Sequence, residues 1–250
     1  MLALAVAGAT AGCGDGSTTA PTGSTGPADS SAAIVAPDAG NYRPSISRAD
    51  FVATVDNPYL PFTTGARWVY EGVAEGEQER TEVVVTDEQR TVMGVAVTVV
   101  RDTVSVDGQV VEDTYDWFAQ DSAGNVWYFG EDVKNFDAGR LTDTDGSWEA
   151  GVDGAFPGIV MLADPAVGQT YRQEYWPGEA EDLGEVIAVN GQQVVPNGSY
   201  DNVVTTRDWN PLEPNVVEEK QYAPGVGLIR EIHVVGGHDE AVLIEFTPGS

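Results

Sequence analysis

The sequence DWFAQDSAGNVWYFGE, residues 116–131, decides the fold class. Its two halves are rich in aromatic residues, which favour β-strands, and the turn-forming residues 121–124 separate them. Successive side chains of a strand point to opposite faces, so consecutive aromatic residues place apolar bulk on both sides. The stretch therefore predicts two strands with apolar side chains on both faces.

Runs of similar composition recur through the rest of the chain and are separated by turn-forming residues. Asp107-Gly108 and Asn190-Gly191 stand between such runs and predict hairpins, because type I′ turns need positive φ at both central residues. No run keeps an apolar stripe at helical period, and one short helix is predicted at residues 47–53, with Ser47 as its cap. The predicted strands lie in residues 67–73, 80–86, 91–106, 110–120, 125–131, 169–175, 185–189, 200–208, 226–235 and 241–246.

These strands predict an all-β domain. We expect a single, strongly curved antiparallel sheet of about ten strands, shaped as a half-barrel or a barrel. The domain is preceded by a disordered N-terminal tether, since residues 14–40 are rich in Gly, Ser, Thr, Ala and Pro and nearly lack large apolar side chains. Such a segment cannot bury enough surface to offset its ordering entropy.

The first residues of the chain predict export. Leu2–Ala11 form an apolar run that, at about ten residues, is too short to span a bilayer and is typical of a signal peptide. No Lys or Arg precedes this run, so we expect the signal peptide to be truncated at its start. Cys13 is the only cysteine and cannot form an intramolecular disulfide.

The sequence TAGC, residues 10–13, resembles the lipobox of bacterial lipoproteins. This resemblance implies that Cys13 is lipidated and becomes the new N-terminus. We therefore predict a signal peptide in residues 1–12, a lipidated cysteine and disordered linker in residues 13–40, and a single β domain in residues 41–250. The predicted location is the cell membrane, where the lipid anchor holds the exported protein on the extracellular or periplasmic side.

Three stretches of the domain also resemble a known group: residues 55–72, 116–131 and 218–232. They are similar to uncharacterised exported bacterial proteins with a Pro-rich entry, a G-x-x-W-x-Y first strand and a Y-A-P-G-V-G-L strand near the end. This resemblance implies a lipocalin-like or lipoprotein-carrier half-barrel. It implies no reaction and no ligand.

The charge of the chain limits its partners. It has 40 Asp and Glu against 12 Lys and Arg, and a formal net charge of −28. Such a surface repels phosphate backbones, so nucleic acid is excluded as a partner. It favours cations and basic partners instead. The partners we expect are the membrane, through the lipid anchor, and an apolar small molecule or a component of the cell envelope.

The sequence contains no catalytic motif. It has no G-x-S-x-G elbow, no Walker loop and no G-x-G-x-x-G before a helix, and its only histidines are His233 and His238. Each histidine is interpreted as structural, and a closed Cys/His zinc site cannot be assembled. We therefore predict a protein that is not an enzyme and that needs no cofactor.

Paired carboxylates leave one enzymatic alternative open. Two suitably spaced acids are sufficient for a glycosidase, so a carboxylate-based hydrolase that acts on extracellular glycans remains an alternative. The cluster considered for it is also interpreted as a solvated acidic loop. It consists of Glu174, Glu179, Glu181 and Asp182 beside Tyr175 and Trp176.

Two further hypotheses concern binding. Trp117, Trp127 and Phe129 are candidates to line the concave face of the sheet and bind an apolar ligand, although they would equally fill a core. The segment 135–158 supplies flexible oxygen ligands of the kind that Ca²⁺ accepts, but it does not match the helix–loop–helix calcium motif and is also interpreted as a solvated turn. The candidate calcium ligands are Asp137, Asp143, Asp145, Glu149 and Asp153.

Taken together, these features predict a non-catalytic, lipid-anchored protein of the cell surface that acts by ligand binding or by interaction. A second alternative is an acidic protein that contacts the surface or the cell wall and has no pocket. Its binding would weaken as the salt concentration rises.

Overall fold

The computed structural model of the protein describes residues 41–74 and 76–250. The expected signal peptide, Cys13 and the linker lie outside these residues, and their assignments stay predictions. The described part forms fifteen strands and one turn of 3-10 helix but no α-helix, so the all-β prediction is confirmed. None of its helical residues forms a segment long and apolar enough to cross a bilayer.

The strands are β1 (Arg67–Ala74), β2 (Glu77–Val92), β3 (Val95–Val106), β4 (Gln109–Gln120), β5 (Val126–Asp137), β6 (Arg140–Asp143), β7 (Trp148–Glu149), β8 (Phe156–Met161), β9 (Thr170–Arg172), β10 (Glu174–Tyr175), β11 (Leu183–Val195), β12 (Gly198–Trp209), β13 (Val217–Ala223), β14 (Gly227–Val235) and β15 (Glu240–Thr247).

All of these strands belong to one antiparallel sheet, as predicted, but the sheet has more strands than expected and is not a closed barrel. Its order is β10-β8-β5-β4-β3-β2-β1-β15-β14-β13-β12-β11-β9, and β6 and β7 each pair with β5 beside this path. The edge strands β9 and β10 are consecutive in the chain and are separated by Gln173 alone. The barrel alternative is therefore wrong, because the two edges are joined by the chain and not by a ladder of hydrogen bonds.

The sheet curls until distant strands face each other. Gly158 in β8 lets the chain at Arg172 approach closely, since a Cβ at Gly158 would lie 2.4 Å from the Arg172 carbonyl oxygen. Burial and the repulsion of neighbouring carboxylates raise the pKa of Asp102 in β3, and one of these carboxylates is Glu231 of β14. Because β2, β1 and β15 lie between β3 and β14 in the sheet, the two side chains are near each other only if the sheet curls. We call the enclosed side, which carries Tyr70, Asp102 and Glu231, the inner face.

The stretch 116–131 forms most of the β4–β5 hairpin and carries aromatic side chains on both faces, as predicted. Phe118 and Tyr128 are paired across the two strands and stack on the inner face with ring centroids 5.0 Å apart. The Phe62 ring packs on Phe118 and on Trp68, with ring centroids 4.8 Å and 6.1 Å apart. The segment that precedes β1 and contains Phe62 therefore covers this end of the inner face. Trp117 points the opposite way, beside its β3 partner Val99.

Asp121 organises the turn of this hairpin. Its carboxylate accepts hydrogen bonds from the backbone N–H groups of Ala123 and Asn125, each at 2.9 Å. It also accepts from the Asn125 side chain and from the indole N–H of Trp127, each at 2.8 Å. The same carboxylate thus fixes the turn and the first aromatic residue of β5.

Two local predictions are corrected by the structure. Asp107 and Gly108 adopt positive φ between β3 and β4, as a hairpin requires, but Asn190-Gly191 lies inside β11. At this position the β11–β12 register shifts, and Asn190 adopts positive φ in a β-bulge. Positive φ therefore occurs at Asn190 without a hairpin turn. The helix predicted at residues 47–53 is only the 3-10 turn Arg48–Asp50, and the Ser47 side chain does not cap it.

We expect Asp121→Ala to destabilise the domain by about 2–4 kcal/mol, because each lost hydrogen bond contributes roughly 1 kcal/mol and the Trp127 N–H loses its partner. Urea unfolding followed by tryptophan fluorescence measures this loss. Ser122→Ala, at the exposed neighbouring position in the same turn, is the matched control and should change the free energy of unfolding by less than about 0.5 kcal/mol. Equal stability of the two variants would contradict the role given to Asp121.

Candidate functional site

The candidate site is an ionic cluster on the inner face around Lys220, whose side chain is 1% exposed. The Lys220 Nζ lies 3.1 Å from a Glu218 oxygen, 3.4 Å from an Asp208 oxygen and 3.6 Å from a Glu231 oxygen. Burial acts to lower the pKa of Lys220, but these carboxylates outweigh it and hold the pKa well above its ordinary value. The ammonium group is therefore charged inside the protein.

Strand pairing brings these groups together. Lys220 in β13 is the partner of Glu231 in β14, and Glu218 in β13 is the partner of His233 in β14. Asp208 in β12 is the partner of Glu218 on the other side. Paired residues of an antiparallel sheet point to the same face, and residues two apart in a strand share that face. The cluster thus requires the registers of three adjacent strands to agree.

His233 connects the cluster to the β14–β15 turn. Its Nε2 lies 3.1 Å from a Glu218 oxygen, and its Nδ1 lies 3.6 Å from an Asp239 oxygen. The hydrogen bond with Glu218 raises the pKa of His233, although burial opposes this. Burial also opposes ionisation of Glu218, but Lys220 and His233 outweigh it and lower the pKa of Glu218 to about 2.

Three other carboxyl groups of the inner face have no Lys or Arg beside them among the described residues. Burial raises the pKa of Glu79 to about 7, of Asp116 to about 6 and of Glu131 to about 8. Asp116 and Glu131 are partners across β4 and β5, and the Tyr128 hydroxyl donates to Asp116 at 2.8 Å. These carboxyl groups hold protons at pH values where exposed acids are ionised.

A third part of the site is formed where the two sheet edges meet. Gln173 donates to Asp208 at 3.0 Å and so joins this region to the Lys220 cluster. Burial and the neighbouring Glu174 raise the pKa of Asp182 well above its usual range. Several buried carboxylate oxygens of the inner face accept no hydrogen bond in the described structure. They are Glu79 Oε2, Asp102 Oδ1, Glu174 Oε2, Asp208 Oδ1 and Glu231 Oε2.

The four acids of the cluster considered for hydrolysis do not lie together in the structure. Glu174 is buried and Asp182 is half-buried at the inner face, whereas Glu179 is exposed. Glu181 accepts a hydrogen bond from the backbone of Gly178 in the turn. Only Glu174 and Asp182 of this cluster therefore belong to the candidate site.

The aromatic residues proposed to line the concave face lie on the outer face instead. Trp127 pairs with Ala119 beside Trp117, and Phe51 packs edge-on against Trp127 and Phe129. The Arg90 guanidinium covers the Trp117 ring, 3.6 Å from its centroid, at the border of an outer groove of about 330 Å³. Binding of an apolar ligand by these three residues stays a prediction.

The candidate calcium ligands are spread along β5, β6, β7 and their turns. Asn135 donates to Asp143, and Arg90 forms an ion pair with Glu149 at 2.6 Å. Asp137, Asp145 and Asp153 are exposed. No three of the five carboxylates converge on a metal-sized centre within the described residues. Calcium binding by this segment stays a prediction.

Sequence reasoning missed the inner face because it treated His233 as structural and did not consider Lys220. A signal was present: Glu218 and Lys220 in β13, and Glu231 and His233 in β14, alternate with period two. Alternation shows that such residues share a face but does not show whether that face is solvated or enclosed. The curl of the sheet supplies the missing information.

Comparisons with known proteins give distant likenesses. No protein-family model and no curated protein matches the chain. One solved structure, a proposed exported protein with a YmcC-like fold from Bacteroides fragilis, is 14% identical with a TM-score of 0.46, over 76% of this chain and 99% of its own. Another, a proposed lipoprotein from Parabacteroides distasonis, is 15% identical with a TM-score of 0.36, over the same shares of the two chains.

The raised pKa values predict that the domain loses stability as the pH rises. The folded state binds more protons than the unfolded state between the ordinary pKa of Glu, about 4.3, and the folded pKa of Glu131, about 8. The free energy of unfolding should therefore fall between pH 5 and pH 8, by up to about 1.4 kcal/mol per pH unit for each retained proton. Thermal melts across this range measure the slope.

Glu131→Gln should make this slope shallower, because the amide does not titrate. Asp132→Asn is the matched control: Asp132 is the next residue, exposed, and in an ion pair with Lys134 at 3.2 Å. It should leave the slope unchanged. A slope that is the same in wild type and in Glu131→Gln would show that Glu131 ionises normally in the folded protein.

Proposed function

We propose that this chain is the binding domain of an exported, lipid-anchored protein that acts without catalysis and binds a cationic ligand through its inner face. The excess of carboxyl groups over cations on that face is the observation that carries the proposal. Lys220 is the one buried ammonium group of the described residues, and Arg172 points to the other face, where it stacks on Tyr175 at 4.5 Å. The buried or half-buried carboxyl groups assigned to the inner face are Glu79, Asp102, Glu112, Asp116, Glu131, Glu174, Asp182, Asp208, Glu218 and Glu231.

This excess has a physical consequence. Buried carboxylates are stable only when they are protonated, hydrogen-bonded or paired with a cation. A cationic ligand would replace the retained protons and give the unpartnered oxygens of Asp102 and Glu174 a partner. The same argument disfavours an anionic ligand and, for this face, an apolar one.

We expect a cationic ligand to stabilise the domain more than ionic strength alone. A ligand at 100 times its dissociation constant adds about 2.7 kcal/mol to the free energy of unfolding. Thermal melts with spermidine, Ca²⁺ or Zn²⁺, against NaCl of matched ionic strength, measure the effect. The shift caused by spermidine should shrink in Glu131→Gln and persist in Asp132→Asn. Shifts that NaCl reproduces in all three proteins would contradict cation binding and indicate screening of the net charge.

The anchoring part of the proposal rests on Cys13 and on the composition of residues 14–40. A linker of this length keeps the domain about 30 Å from the membrane if it behaves as a flexible chain. We expect the native protein to incorporate labelled palmitate and to partition into detergent, and Cys13→Ser to lose both properties. Ser17→Ala is the control and should retain them. Equal partitioning of wild type and Cys13→Ser into the aqueous phase would contradict anchoring.

A carboxylate-based hydrolase is a second candidate, and the Asp116–Glu131 pair favours it. Neighbouring acids with raised pKa values are what general acid catalysis requires. Hydrolysis of cell-envelope glycans by the wild type, lost in Glu131→Gln and kept in Asp132→Asn, would support this candidate over non-catalytic binding.

A further inference from the structure

We propose that Glu218, Glu231 and His233 form a site for a divalent transition-metal ion, for which Zn²⁺ is the fitting ion. The inference rests on the proposed function, because it names a metal as the cation that one end of the inner face takes. Of these residues only His233 is considered from the sequence, where it is interpreted as structural and only a closed zinc site of Cys and His is ruled out.

The three candidate ligand atoms lie close together. One imidazole nitrogen and two carboxylate oxygens, one from each residue, all lie within 4.8 Å of one another. The His233 Nε2 lies 3.1 Å from Glu218 Oε1. Ligands of a tetrahedral Zn²⁺ with bonds of about 2.0–2.1 Å are separated by roughly 3.3 Å. An ion therefore fits between these two atoms with movements of a few tenths of an ångström.

A second observation comes from Glu231, which is 2% exposed: its Oε2 lies 3.6 Å from the Lys220 Nζ but accepts no hydrogen bond from the described residues. Its side chain borders a small cavity of about 10 Å³, which Glu79, His233 and Asp239 also line. A cavity of this size holds about one water molecule. It supplies space for an exchangeable ligand beside two of the three protein ligands, Glu231 and His233.

The surroundings of His233 are those of a metal-bound imidazole. Asp239 Oδ2 lies 3.6 Å from Nδ1, and the backbone N–H of His233 donates to the Asp239 carbonyl at 2.9 Å. A carboxylate that accepts a hydrogen bond from a ligating histidine fixes the tautomer and the orientation of that histidine, and Asp239 reaches this distance from Nδ1 with a shift of about half an ångström. Gly237 lets the turn pass close, because a Cβ there would lie 3.2 Å from Nδ1. Nε2 is thus the nitrogen directed at the proposed ion.

Lys220 is compatible with this ion. Its Nζ contacts the Oε2 atoms of Glu218 and Glu231, whereas Glu218 Oε1 is the atom beside His233. Asp208 provides a further carboxylate 3.4 Å from the ammonium group. The carboxylates of Asp208, Glu218, Glu231 and Asp239 carry four negative charges when ionised, so the lysine and a divalent ion together leave one in excess.

The donor set selects the class of metal. Imidazole is a preferred ligand of Zn²⁺ and its neighbours in the first transition row, whereas Ca²⁺ and Mg²⁺ take oxygen ligands. The set of two carboxylates and one imidazole uses the same ligand types, Glu and His, as catalytic zinc sites with two histidines and one glutamate. We therefore expect Zn²⁺ and Co²⁺ to bind more tightly than Ca²⁺ or Mg²⁺.

The test uses the purified chain, with metal removed by chelator, and titrates it with Co²⁺ and Zn²⁺. Wild type should give cobalt absorption bands in the visible range that Zn²⁺ displaces. His233→Gln should weaken binding at least about tenfold, and Asp239→Asn should weaken it about 10- to 100-fold through the orientation of His233. His238→Gln removes the other, exposed histidine and should leave the affinity unchanged.

The outcomes separate this inference from the proposed function. Unchanged binding in His233→Gln, or no metal binding in wild type, would overturn the metal site. If spermidine still stabilises such a protein in a Glu131-dependent way, cation binding by the inner face stands without the metal. If His233→Gln does not fold, X-ray absorption of wild type with Zn²⁺ decides. One imidazole among oxygen ligands supports the site, and sulfur from Cys13 contradicts it.

Discussion

The structure depends on one buried ammonium group among carboxylates from three adjacent strands. Lys220 of β13 lies between Asp208 of β12 and Glu231 of β14, and Glu218 completes the contact from its own strand. Removing one partner of a buried ion pair costs about 3–5 kcal/mol, because the other charge stays buried. A slip of one residue would move the charges to the other face. The cluster therefore specifies the register of this half of the sheet.

The two ends of the inner face are chemically different: one end is apolar and stabilises the fold, and the other is rich in carboxyl groups. At one end the rings of Phe62, Phe118 and Tyr128 form a packed apolar core, which the Asp121 turn supports. At the other end the carboxyl groups outnumber the cations of the described residues, and a few carboxylate oxygens accept no hydrogen bond from this part of the chain. An arrangement that costs stability is expected at a functional site. The polar end is therefore where we place ligand binding.

Local sequence patterns predicted the parts of the fold that local interactions determine. The aromatic runs of residues 116–131 predicted strands with two apolar faces, and Asp107-Gly108 predicted a hairpin. Asn190-Gly191 predicted a hairpin turn, but the structure has a β-bulge there, because positive φ occurs in both features. The site was not predictable in this way. Whether the face of Lys220 is enclosed depends on the curl of the sheet, which makes strands far apart in sequence, such as β3 and β14, face each other.

The central claim is that the carboxyl groups of the inner face hold protons or cations at neutral pH. Carbon-13 NMR of labelled glutamate side chains, titrated between pH 3 and pH 10 without divalent metal, tests it most directly. The resonance that disappears in Glu131→Gln identifies the group. Burial of Glu131 predicts a midpoint near pH 8 for this resonance, since its pKa is raised to about 8. A midpoint near the ordinary value for Glu, about 4.3, would contradict the account.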